Sequence, residues 1–241
     1  MTAAPSDGTA GGAAGGAAGG PAGGAAGGAA ADGAAASFGA RLAAGMERHG
    51  PLCVGIDPHP GLLERWGLAD DVAGLRRFSL TVVEALAGTV AALKPQSAFF
   101  ERHGSAGVAV LEEVVAATRG TGTALVVDAK RGDIGSTMGG YADAYLRDGS
   151  PLAGDALTVS PYLGFGSLAP AVDAALASGR GLFVLALTSN PEGASVQHAR
   201  AVHDGTPGES VAGAVAAQAA RLNAAERART GAALGSVGLV V

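Results

Sequence analysis

The sequence predicts an α/β fold built on a parallel sheet, and three observations carry that prediction. Six short runs rich in Val and Leu recur over residues 52–241, longer segments with helical spacing lie between them, and charged or hydroxyl residues gather where the runs end. Near-continuous apolar runs bounded by Gly, Pro and Asp suit strands buried on both faces, and strand–helix alternation assembles such strands into one parallel sheet.

Residues 1–36 come first and stand apart. They hold 16 Ala and 12 Gly, with charge only at Asp7 and Asp32. A Gly pair every four residues costs a helix ~2 kcal/mol per pair relative to Ala, and side chains this small cannot fill a core. The tract is expected to be a disordered tail, and residues 37–241 the single folded domain. Those 205 residues fall near the ~200–250 that an α/β barrel uses as one domain.

The expected strands are LCVGID (52–57), VAALKP (90–95), TALVVDAK (123–130), DALTVS (155–160), GLFVLAL (181–187) and VGLVV (237–241). Between the first two, Phe78, Val82, Leu86 and Val90 step by four after an acidic start at Asp70 and Asp71. Val108, Leu111, Val114 and Val115 mark the next helix, ahead of Arg119. Ser136 is placed to cap a helix carrying Tyr141, Tyr145 and Leu146. Leu168, Val172 and Leu176 mark another, and residues 211–222 the last. An open doubly wound sheet and a closed barrel both fit this series, and periodicity does not separate them.

Composition narrows the function. One Cys rules out a disulfide framework or a cysteine-only zinc cluster within this sequence. No apolar run approaches the ~18 residues of a membrane span, and the Gly/Ala tract lacks the basic start and bulky apolar stretch of a secretory signal. A net charge of −5 with Arg spread along the chain argues against a nucleic-acid partner. The expectation is a soluble cytoplasmic protein.

The chemistry gathers at the strand ends. The first run ends in Asp57, the second in Lys94, the third in Asp128 and Lys130 with Asp133 just beyond, the fourth in Ser160, and the fifth in Thr188, Ser189 and Asn190. In parallel α/β folds the carboxyl ends of the strands face the ligand. Taken singly, Ser160 and Asn190 are ordinary turn formers. Of 16 Lys and Arg residues, only Lys94 and Lys130 are lysine, and both lie at strand ends beside aspartates. An ammonium can give up a proton where a guanidinium practically cannot, so the pair points to proton transfer or Schiff-base chemistry. Asp128 and Lys130, two apart on a strand, project to one side. A carboxylate beside an ammonium keeps the lysine protonated, which favours an acid over a Schiff-base amine. Asp133 and Thr137 share a face if the following helix starts early.

The segments LCVGIDPHP (52–60), LKPQSAFFERHGSAG (93–107), VVDAKRGDIGSTMGGYADAYL (126–146), LTVSPYLGFGSL (157–168) and FVLALTSNPEG (183–193) together resemble orotidine 5′-phosphate decarboxylases, in the branch common in actinobacteria. The resemblance covers about residues 38–241 and implies a (β/α)8 TIM barrel acting as a homodimer. It further implies decarboxylation of orotidine 5′-monophosphate to uridine 5′-monophosphate, the last step of de novo pyrimidine synthesis, with no metal and no organic cofactor. The family's charged network falls on Lys94, Asp128, Lys130 and Asp133. Asp133, Ile134 and Thr137 are implied to come from the partner subunit. Asp57 matches the aspartate on a ribose hydroxyl, Lys94 the lysine bridging ribose and Asp128, and Lys130 the proton donor to C6. Ser189 matches the serine that reads the pyrimidine, with Thr188 as the competing choice.

Against that family, the sequence reaches Val241 inside the sixth strand. Strands seven and eight of the barrel, with the glutamine and arginine that grip the substrate phosphate, have no counterpart in it. A truncated, poorly folded and inactive chain is therefore one expectation. A magnesium-dependent sugar-phosphate decarboxylase of the same superfamily, a Schiff-base aldolase using Lys94 or Lys130, and a non-catalytic fragment stay open as alternatives.

Overall fold

The strand order separates the two sheet architectures that the periodicity left open. The protein is described by a computed structural model covering residues 36–203 and 206–241. The tail expected over residues 1–36 thus lies, except for Ala36, outside the described residues. Six strands form one sheet: β1 (Cys53–Ile56), β2 (Ala92–Pro95), β3 (Ala124–Arg131), β4 (Ala156–Val159), β5 (Gly181–Leu185) and β6 (Val237–Val240). They pair in chain order, each parallel to the next. A doubly wound sheet reverses its strand order at a switch point. This one never reverses, so it winds one way, as the strands of a (β/α)8-like barrel do, with β1 and β6 as its edges among the described residues.

The helices between the strands follow from spacing and capping. The first, α1 (Phe38–His49), precedes the sheet and is capped by Ser37, whose hydroxyl accepts from Ala40 N at 3.4 Å. Helix α2 (Val72–Leu86) starts at Asp71, whose carboxylate accepts from Gly74 N at 2.8 Å, as the acidic start anticipated. Val90 is not on that helix. It is buried in the segment leading into β2. Helices α3 (Gly104–Thr118), α4 (Gly135–Leu146), α5 (Ala169–Ala177) and α6 (Val211–Thr230) complete the layer, with Ser210 capping α6 through Gly213 N at 3.0 Å. Ser136 does not cap α4. Ile134 holds the cap position and Ser136 is the second helical residue, so the helix starts two residues earlier than a Ser136 cap would set it, with the Ile134 N–H donating to Asp133 Oδ1 at 2.8 Å. None of the described helices is long and apolar enough to cross a membrane.

Further features lie outside the periodic reading. Short helices Pro60–Arg65 and Ser97–Glu101 follow β1 and β2, and an antiparallel hairpin, Arg200–His203 with Thr206–Ser210, sits between β5 and α6. The hairpin carries almost no apolar alternation, so periodicity does not reveal it.

Alternation along the strands sets two cores. Leu125, Val127, Leu157, Val159, Leu182 and Val184 face outward into the main core with Leu111, Val114, Met138, Leu146 and Leu168 of the helices. Val126 and Ala156 face inward, where Phe38 and Leu42 of α1 and Phe183 meet them at the amino-terminal end of the sheet. Phe38 crosses Phe183 edge-to-face at 6.0 Å. It fits because residue 181 is Gly, where any Cβ would collide with the Phe38 ring. The inward face is therefore apolar at its amino-terminal end. Toward the carboxyl end, the same face carries Lys94, Asp128 and Thr158.

Candidate active site

Asp128 is the centre of the polar end. It is 5% exposed, and burying a carboxylate is costly unless it is paired and hydrogen-bonded. Both oxygens are paired. Lys94 Nζ donates to Oδ2 at 2.7 Å, Lys130 Nζ to Oδ1 at 2.6 Å, and Thr158 Oγ1 also to Oδ1 at 2.8 Å. Burial by itself would raise the Asp128 carboxyl, but the hydrogen bonds from Lys130, Lys94 and Thr158 outweigh it and hold the group below the ordinary carboxylate range. Burial would likewise lower the Lys94 ammonium, and the hydrogen bond and charge of Asp128 reverse that, so Lys94 is held above its ordinary value.

Lys130 reaches this position by an irregular route. On a regular strand, residues 128 and 130 would share a face by alternation alone. Here β3 pairs Val127 with Leu157 but Arg131 with Val159, four steps on one strand against two on the other. Lys130 has φ 49°, and it is the one non-glycine residue with positive φ among those described. Such a conformation costs ~1–3 kcal/mol and persists where the surroundings enforce it, typically at functional sites. The ladder cannot take the Lys130 amide at this break, so it donates to Thr158 Oγ1 at 2.9 Å instead. Lys130 Nζ also donates to Gln96 Oε1 at 3.1 Å, and a lone bridge between Gln96 and Asp128 extends the β2–β3 pairing to this level.

Thus the structure brings Lys94, Asp128 and Lys130 together, and adds Gln96 and Thr158, which the sequence reading did not single out. A signal for both was present. Gln96 is two residues beyond Lys94, and Thr158 two before Ser160, so the alternation that joined Asp128 to Lys130 places them on the inner face as well. Asp57 follows β1, and its Oδ1 is buried without a hydrogen-bond partner among the described residues. An orphaned buried carboxylate oxygen is the mark of a group awaiting a donor.

The remaining expected residues lie apart from this cluster. Asp133, Ile134 and Thr137 occupy the β3–α4 connection and the first turn of α4. Thr137 is three residues into α4 while Asp133 precedes it, so they do not share a helix face. No hydrogen bond or ion pair among the described residues joins Asp133 to Lys94, Asp128 or Lys130, and Ile134 is 62% exposed. On the loop after β5, the Thr188 hydroxyl donates to Asn190 Oδ1 at 2.6 Å and accepts from Gln197 Nε2 at 2.7 Å. Ser189 is exposed, with no side-chain hydrogen bond among the described residues. The arrangement offers a proton-bearing ammonium, a fixed carboxylate anion beside it, and a second ammonium that balances the charge.

Comparison with known proteins gives a consistent answer. Residues 50–241 match the model of the family described as "Orotidine 5'-phosphate decarboxylase / HUMPS family". The orotidine 5′-phosphate decarboxylase of Streptomyces coelicolor is 62% identical over 204 residues, covering 85% of this chain and 70% of the relative. That of Salinispora tropica is 61% identical over 205 residues with the same coverages, 85% and 70%. Among solved structures, a Streptomyces avermitilis protein given the same enzyme name superposes with a TM-score of 0.80 at 63% identity, over 86% of this chain and 70% of that one. The Leishmania donovani OMP decarboxylase superposes with a TM-score of 0.65 at 34% identity, over 85% of this chain and 70% of that one.

Proposed function

The chain belongs to the orotidine 5′-phosphate decarboxylase / HUMPS family, and from that premise we propose how its own residues carry out the reaction. The activity is decarboxylation of orotidine 5′-monophosphate to uridine 5′-monophosphate in pyrimidine biosynthesis. The observation that carries the residue assignment is one buried carboxylate, Asp128, held between the two lysines of the chain.

The bond from C6 to the carboxylate carbon breaks, CO2 leaves, and the electron pair stays on C6. No group conjugated to C6 accepts that pair, so the site must stabilise charge that exists only in the transition state. Lys130 supplies the ammonium for it. Its proton passes to C6, and the neutral amine regains a proton from solvent. Asp128 faces the substrate carboxylate. Two like charges in contact are unfavourable, and departure of neutral CO2 relieves the contact. The hydrogen bonds that keep Asp128 ionised are what maintain this arrangement. Lys94 holds Asp128 from the other side and reaches the ribose, where the unpartnered Asp57 oxygen accepts from a hydroxyl. Ser189, whose hydroxyl bonds no other side chain among the described residues, reads the pyrimidine. Thr188 is the weaker choice for that role because its hydroxyl is already engaged. Asp133, Ile134 and Thr137 complete the neighbouring site of a homodimer, a role that suits a segment with no hydrogen bond or ion pair to its own chain's lysines among the described residues.

The test is direct. With orotidine 5′-monophosphate, absorbance of the orotate chromophore should fall and uridine 5′-monophosphate should appear, at an unchanged rate after exhaustive chelation of divalent metal. Turnover that stopped on chelation and returned with magnesium would replace this reading with metal-stabilised chemistry.

A further inference from the structure

Lys130 is held in the left-handed region, with its amide donating to Thr158 Oγ1 at 2.9 Å. The ammonium end is engaged with Asp128 and Gln96 inside the site. A further restraint comes from the next residue, on the other face of the sheet. Arg131 projects into the layer between the Ser97–Glu101 helix and α4. One guanidinium nitrogen donates to Glu101 Oε1 and, at 3.2 Å, to Tyr145 Oη. The guanidinium carbon lies 5.5 Å from the Tyr141 ring centre and 5.7 Å from that of Tyr145. Glu101 is itself fixed by Ser97, whose hydroxyl donates to it at 3.1 Å. The Arg131 carbonyl accepts from Ser160 N at 2.8 Å, tying the end of β3 to β4.

The register explains what this clamp resists. Regular pairing onward from Val127 and Leu157 would set Ala129, not Arg131, opposite Val159. The strand thus carries two residues in excess between its two fixed pairs, and Asp128 and Lys130 lie within that excess. A slip of two residues keeps each side chain on its face but moves it about 7 Å along the strand. Released from the clamp, β3 can straighten, and Lys130 then moves along the strand away from Asp128 without leaving the inner face.

We propose that Arg131 is a positioning residue: gripped by Glu101, Tyr145 and Tyr141 behind the sheet, it holds the end of β3 in the left-handed turn that keeps Lys130 on Asp128 and aimed at C6. The inference rests on Lys130 being the proton donor. A lysine at position 131 can meet Glu101 but lacks the planar guanidinium that lies against the Tyr141 and Tyr145 rings.

Two readouts separate positioning from general stability. One is kcat against KM for orotidine 5′-monophosphate. The other is exchange of the C6 hydrogen of uridine 5′-monophosphate in D2O, followed by proton NMR. In that exchange the neutral Lys130 amine takes the C6 proton, the resulting ammonium exchanges with solvent, and a deuteron returns to C6. A displacement of an ångström or more at a catalytic group costs roughly a hundredfold, so Arg131→Met should lower kcat and exchange together by about that factor while KM moves less than about threefold. Arg131→Lys should recover part of both. Tyr145→Phe, which removes one hydrogen bond and keeps the ring, should show a smaller parallel loss, and it serves if Arg131→Met does not fold. Arg76→Met breaks a comparable ion pair on the outer surface, Arg76 to Glu113 at 2.7 Å, and should change neither readout. The clamp is refuted if Arg131→Met and Tyr145→Phe keep kcat and exchange within about twofold of the parent, or if Arg76→Met loses as much as they do. Lys130→Arg checks the premise. Exchange retained there refutes the proton-donor reading and with it the purpose of the clamp, whereas exchange lost there beside unchanged Arg131 variants refutes the clamp alone.

Discussion

Gly132 packs directly against the backbone of Ser160: a Cβ at position 132 would collide with the Ser160 carbonyl oxygen. The contact closes β3 onto β4 just beyond Lys130, where Ser160 N also bonds the Arg131 carbonyl at 2.8 Å. A backbone atom cannot swing aside as a side chain can. Gly132→Ala should therefore push the β3 terminus off β4, lower stability by about 1–3 kcal/mol, and cut kcat by more than that loss of folded protein explains. Urea unfolding and initial-rate assays on the same preparation measure both. Parent-like values for both would mean that the two strands part there at no cost.

Thr158 joins two functions in one hydroxyl. It donates to Asp128 and accepts the Lys130 amide. Thr158→Val keeps the shape but leaves the part-buried Lys130 amide without its partner and removes a donor from the buried Asp128, at about 1–3 kcal/mol of stability. The kcat should fall at least roughly tenfold, because the same bond sets the lysine's backbone. Thr158→Ser should restore most of both. Equal loss in Val and Ser variants would show that the methyl group, not the hydroxyl, matters.

Lys130→Arg preserves the charge but replaces the ammonium with a guanidinium that practically cannot give up a proton. Turnover should disappear while binding of uridine 5′-monophosphate, followed by calorimetry, weakens much less. A variant keeping about a tenth or more of the parent kcat would exclude Lys130 as the proton donor.

The paired charges predict opposite pH limits. Asp128 is held below its unfolded value of about 3.9, so its contribution to stability is complete above that value and is lost as pH falls through the lower, folded pKa. Lys94 is held above its unfolded value of about 10.4, so its contribution is complete below that value and is lost as pH rises through the higher, folded pKa. The stability gap between parent and Asp128→Asn should be constant near neutrality and narrow below about pH 4 in urea titrations. A gap unchanged down to about pH 2 would contradict the pairing.

Asp133 and Lys94 test the shared site. Asp133→Ala and Lys94→Ala subunits should each be nearly inactive and recover activity when mixed. A heterodimer places both defects in one site and leaves the other intact, so an equal mixture approaches about a quarter of parent activity. No recovery despite subunit exchange, shown by a tagged partner on a sizing column, would place Asp133 in its own chain's site.

How much of this was legible beforehand differs from element to element. Five of the six strands lie within the Val- and Leu-rich runs and β3 overruns its own by one residue, Arg131, because a strand buried on both faces must be apolar nearly throughout. The strand-end residues Lys94, Asp128 and Lys130 stood out because only two lysines occur in the chain, both sit at strand ends, and Lys130 lies two residues from Asp128. Helix α1 and the hairpin did not stand out. The first closes the amino-terminal end of the inner face with Phe38 against Gly181, a contact between residues 143 positions apart that no local spacing records.

The sequence by itself determined the order of the six sheet strands and the main helices between them, the rim on which chemistry collects, and the family. Local side-chain chemistry and period are enough for those. Only the tertiary structure decided that the sheet winds in one direction, that Thr158 and Gln96 join the lysines, and that Asp128 and Lys130 meet through a left-handed turn. Each of these depends on register between neighbouring strands. Register is a property of pairs of segments, set by which backbone groups find partners across the sheet, and at the end of β3 it is held by Arg131, Glu101 and Tyr145 from three separate elements.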